Sequence, residues 1–266
     1  MILPYGPTRD TVMNDYVLFK MWGPHRLSLI KGHQFYVEQV RKRLLSQFAN
    51  MEAEAEKASE ELVEQSSGRF DPDRHDPSEF YEAANDAGIE FYQLLSDMRD
   101  QTRLNVIAGM FHEWEKQLRD WLVREIQHWH QGETPIAKVW SADFGKIADL
   151  LESLGWRIRS TDYFTTLDAC RLVVNVYKHG DGPALKDLKL KHPEYLEDRL
   201  SGSGLPGTLD LVDYTNLKVS DDQFQAFSDA IVAFWRDVPA SVAGSEISKP
   251  PEWFKKAILG DRAVRL

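Results

Sequence analysis

The chain has 266 residues, enough to bury a substantial core as one large domain or two small ones, and its 42% hydrophobic and 28% charged residues are those of an ordinary globular protein. Eight tryptophans and thirteen phenylalanines argue against global disorder, and a net charge of −10 argues against broad electrostatic coating of nucleic acid, while leaving room for a local basic cleft. The single cysteine, Cys170, has no partner for an internal disulfide and lies among apolar residues, as an inert thiol in a reducing compartment would.

No apolar run approaches the roughly 20 residues that span a bilayer. Met1 to Pro7 lack the basic start and apolar stretch of a signal peptide. The sequence therefore predicts a cytoplasmic protein with no membrane partner.

The first 25 residues carry Pro4, Pro7 and Pro24 with Gly6 and Gly23, and read as a docked arm around the apolar stretch Tyr16–Phe19. From Leu27 to Gln65 the pattern is helical, with Val37, Val40, Leu44, Phe48 and Met51 at steps of three and four. Its second half, Glu52–Glu64, is rich in Glu and Ala and predicts a helix projecting toward solvent. A Gly- and Pro-bearing loop, Ser66–Pro77, leads into a helical pattern that runs from Phe80 to Trp129. Leu104, Ile107, Phe111, Trp114, Leu118, Leu122 and Ile126 form one apolar stripe on it, and the two long helices are expected to pair as an antiparallel hairpin.

After a loop at Gly132–Pro135 comes a shorter amphipathic helix, Ala142–Leu154, ending at Gly155. Ser160, Thr161 or Asp162 can cap the next helix, which runs to His179 and stops at Gly180. Pro183 opens a short helix over Ala184–Leu190, and Ser201–Gly207 is a loop. Leu209, Leu211 and Val219 carry the one extended signal, and Ser220–Asp222 caps a last helix with Phe224, Phe227, Ile231, Phe234, Trp235 and Val238 on its apolar face. The residues after Pro239 read as a loosely attached tail in which Trp253 and Phe254 are the docking side chains. The expectation is an all-α fold: a helical bundle over 26–240 with a long hairpin, an arm over 1–25 and a tail over 241–266.

On the helix before Gly180, Leu167, Cys170, Val173, Val174 and Tyr177 share a broad apolar face, while Asp168, Arg171, Asn175, Lys178 and His179 gather into a polar stripe. A helix apolar around most of its circumference is buried, so that stripe must line a cleft, meet another polar group or sit at an interface. Its composition suits phosphodiester chemistry. An imidazole can take a proton from a ribose 2′-hydroxyl and return one to the leaving oxygen, and an Arg can stabilise charge on the phosphate. Lys178, His179 and Gly180 are also ordinary helix-ending residues.

The run Asn175–Val176–Tyr177–Lys178–His179–Gly180 resembles the end of the signature helix of HEPN (higher eukaryotes and prokaryotes nucleotide-binding) domains, over about residues 100–240. The resemblance implies a small helical bundle, common in toxin–antitoxin and antiphage systems, in which two copies join their signature helices into a metal-independent ribonuclease site. On that reading RNA is the substrate, a homodimer is the working unit and no cofactor or metal is needed. His179 is the acid/base, Arg171 holds the scissile phosphate and Asn175 positions it, with Lys178, Asp168 and Glu115 in support. The position where the family's Arg would stand is Val174, and seven residues separate Arg171 from His179, a longer spacing than the family's. The alternative is a non-catalytic helical interaction protein: an inactive HEPN relative, an antitoxin or an adaptor with a protein partner.

Elsewhere, Arg124 and His130 lie about 600° apart on an ideal helix, on different faces. His112–Glu113 lacks the second His of a zinc pair, so no metal site is predicted. Glu115 is expected to pair with Arg119 or to reach Arg171.

Overall fold

The structure is a computed structural model and describes residues 16–67, 76–198 and 207–263. Most of the loop predicted at 66–77 and residues 201–206 of the loop at 201–207 lie outside the described residues. The fold is all-α. Helices α1 (Gly23–Arg43), α2 (Met51–Ser67), α3 (Pro77–Trp129), α4 (Thr134–Ser141), α5 (Phe144–Ser153), α6 (Asp162–His179), α7 (Pro183–Lys191), α8 (Asp221–Asp237) and α9 (Glu252–Ala263) accompany a two-stranded sheet of β1 (Val17–Lys20) and β2 (Ser241–Ala243). Among the described residues no helix is long and apolar enough to cross a membrane.

Helix starts follow local chemistry. The Asp76 carboxylate accepts the Ser78 N–H at the start of α3, Asp143 does the same for Lys146 at α5, and Ser220 with Gln223 forms a reciprocal capping box at α8. At α6 the expected cap fails: Thr161 occupies the capping position, but its hydroxyl donates to the Ile158 carbonyl. The helix predicted over 27–65 is broken instead into α1, a tight turn at Leu45–Phe48 and α2. The Ser46 hydroxyl donates to the Lys42 carbonyl there, offering the backbone an alternative to continued helix. Helix α4 was hidden from periodicity by its length of eight residues, two turns that begin with Pro135 in the first.

The predicted stripe on α3 from Leu104 to Ile126 is buried throughout. Around it the core is dense in rings: Trp114 meets Phe234 edge-on at 5.0 Å, and Phe144 stacks on Phe164 at 5.9 Å. Helix α6 lies between α3, α7 and α8, which explains its nearly all-round apolar sequence.

The extended pieces fall elsewhere than predicted. Thr208–Leu211 is a 3-10 turn, whereas Val17–Lys20 pairs antiparallel with Ser241–Ala243. This pairing joins arm to tail, and α3 fixes both. Phe19 packs against Trp121 and Trp129, their indole N–H groups donate to the Lys20 and Leu18 carbonyls, and the Glu125 carboxylate accepts the Lys20 N–H. The segment after Pro239 is therefore attached by backbone pairing and by α9. There Phe254 is buried, and Asp261 accepts from the Thr134 N–H and hydroxyl and bonds His130 Nε2 at 2.9 Å.

The N-terminal end of the long hairpin is built differently. Helix α2 packs chiefly on α3, with small residues between them. A Cβ on Gly88 would sit 3.2 Å from the Ala55 carbonyl oxygen and from Ser59 Cβ, so the helices approach more closely than a side chain there would allow. The arm is two helices thick and leaves Tyr81, Ile89, Phe91, Tyr92, Leu94 and Met98 exposed.

Candidate functional site

The polar stripe of α6 spans from the core to solvent. Leu167, Ala169, Cys170, Leu172, Val173, Val174 and Val176 are buried, Asp168, Arg171, Asn175 and Tyr177 are half-buried, and Lys178 and His179 are exposed on the last turn. Val174, where the HEPN Arg would stand, is 2% exposed and packed in the core. A guanidinium at that register would need a buried counter-charge.

The structure brings Arg171 to Asp168. Its Nε and Nη2 donate to the same carboxylate oxygen at 2.8 and 2.7 Å, within one turn of the same helix. It does not bring Arg171 to His179, which lies eight residues on, about 12 Å along the helix axis. Among the described residues the side chains of Asn175, Lys178 and His179 have no hydrogen-bond or ion-pair partner, so no group orients the His179 ring as a general base requires. Glu115 pairs with Arg119 at 2.9 Å, and Arg119 also donates to the Ala142 carbonyl. Glu115 thus serves a partly buried ion pair within α3.

The helix ends at Gly180, whose φ of 67° is a left-handed conformation that glycine adopts at little cost. The Tyr214 ring lies against that glycine, and the Tyr214 N–H donates to Asp181. This contact bounds a cleft of about 600 Å³ between the end of α6, the middle of α3 and Tyr214–Lys218. Tyr92, Tyr177 and Tyr214 line it together with Asp97, Asp100, Glu197 and Lys218. Its charges are largely internal pairs: Asp100 takes Arg99, Arg103 and Lys218, and Lys218 also meets Glu197 at 3.2 Å. Three carboxylates and one lysine make poor walls for a phosphate backbone.

This network was missed in the sequence, where its signal was faint: Asp100 and Arg103 are one helical turn apart, but Lys218 and the second Arg103 partner, Asp221, come from over a hundred residues away. Among the described residues no three His, Cys, Asp or Glu side chains gather as a metal site. Comparison with known protein families, curated proteins and solved structures returns no match to this chain.

Proposed function

We propose that this chain is a non-catalytic helical interaction protein, of the inactive HEPN-like kind, that pairs with a second copy of itself through the N-terminal half of α3. The observation that carries this reading is the row Phe91, Leu94 and Met98, spaced as a helix face and 38%, 60% and 58% exposed. Ile89 and Tyr81 add apolar surface on the same two-helix arm. Two such hairpins side by side make a four-helix arrangement, the smallest packing that covers both arms. Burying the exposed remainder of each of these side chains contributes about 1–2 kcal/mol. Summed over both copies this is of the same order as the ~4–15 kcal/mol cost of association. The expected pair is therefore weak and concentration-dependent. The engagement of Arg171 by Asp168 supports the absence of turnover within one chain.

Light scattering across a concentration series tests the reading. The wild-type chain is expected to shift from monomer to dimer, and Leu94→Asp with Met98→Asp to stay monomeric with an unchanged melting temperature. A wild-type chain that stays monomeric at every concentration overturns it.

One feature favours a second reading, a HEPN-like ribonuclease assembled from two copies: Lys178 and His179 are exposed at the end of α6, one turn from the tyrosine-lined cleft. RNA cleavage that is lost in both His179→Ala and Arg171→Ala would establish this second reading in place of the first.

A further inference from the structure

Sharing no lining residue with the α6 cleft, a groove of about 630 Å³ lies between helices α4, α5 and α9, lined by Thr134, Lys138, Ser141, Lys146, Trp253 and Lys256 with the buried Ala142 and Ala257 and no carboxylate. In a chain carrying −10 this is out of character. The three lysines come one from each helix, so their convergence is a product of the fold, unlike the i,i+4 rows that single helices carry.

Their pairing is incomplete. Lys146 meets Asp143 at 2.7 Å, while Lys138 and Lys256 make no ion pair among the described residues. The other carboxylates near the rim are engaged: Glu252 by Lys255 and, beyond ion-pair distance, by Lys256, and Asp261 by Thr134 and His130; Glu133, before α4, is exposed. The Asp261 contacts hold α9 against the start of α4 and so fix Lys256 relative to Lys138. The Trp253 indole N–H is buried without an acceptor among the described residues.

We infer that this groove binds a small phosphorylated molecule, its phosphates held by Lys138, Lys146 and Lys256 and its apolar part against Trp253. Convergent like charges repel one another until an anion lies between them. The volume is that of a small-ligand site. The chain's net charge of −10 disfavours a long nucleic-acid strand, whereas a compact phosphate meets only the groove's own lysines. This assignment is independent of the hairpin pairing proposed above.

Calorimetry of the full chain with inorganic tripolyphosphate tests it. One saturable site is expected, weakening as salt is raised, with Lys138→Gln/Lys256→Gln lowering affinity about tenfold or more. The charge-matched Lys57→Gln/Lys116→Gln, at exposed lysines elsewhere, is expected to bind as the wild type does. No saturable binding at millimolar ligand, or equal weakening in both double variants, overturns the assignment. Tighter binding of a short oligoribonucleotide that displaces tripolyphosphate overturns it in favour of a strand.

Discussion

In the C-terminal half of α3, Leu104, Ile107, Phe111 and Trp114 step by three, four and three residues and are all buried; in the N-terminal half, Phe91, Leu94 and Met98 step by three and four and are exposed. The local sequence rule is the same in both. What differs is the surroundings: the first set lies in the core that α3 shares with α6 and α8, while α2 is the main cover of the arm that carries the second. A helical apolar period therefore states that a face seeks cover, and leaves open whether the cover belongs to the same chain.

Substitutions sharpen this contrast. Leu118→Ala, in the closed half, is expected to cost about 2–5 kcal/mol, because it removes a fully buried side chain from a ring-packed core that collapses poorly around a cavity. Leu94→Ala is expected to change the stability of the monomer by about 0.5 kcal/mol or less, the usual size for a surface site. Denaturant unfolding of the dilute chain reads both values, and similar losses at the two sites would erase the distinction.

A smaller effect separates the α1–α8 contact from the hairpin. His33 is buried with Nε2 2.9 Å from the Ser228 hydroxyl, and burial lowers its pKa below the ordinary 6.5, against weaker opposing contributions from Ser228 and Asp229. The unfolded chain then binds more protons than the folded one below that value. Stability from this site is complete above about pH 6.5 and falls as the pH drops through the window beneath it. The wild type is expected to lose melting temperature between pH 7.5 and 5.5, by about a few degrees, and His33→Gln to lose less. An equal loss in both would remove His33 from the account.

Much of the fold was legible in the chain. The stripe from Leu104 to Ile126, the helix ending at Gly180 and the Ser220 cap all rest on contacts within a few residues. The strand pairing of Val17–Lys20 with Ser241–Ala243 was not, because its partners are more than two hundred residues apart and each strand is too short to show alternation. For the candidate site, the polar stripe of α6 could be read from helical projection. Its wiring could not: Asp168 competes with any ligand for Arg171, and helical projection places both on one edge without saying that they bond. The lysine groove escaped for the same reason as the strands, since Lys138, Lys146 and Lys256 acquire meaning only when three helices meet.

Hydrogen exchange measured at low and high protein concentration tests the division of α3 most directly. Amides of 104–126 are expected to be protected at both concentrations, and those of 81–98 to gain protection as the concentration rises and two arms cover one another. Protection of 81–98 that is the same at every concentration would contradict the proposed use of the arm.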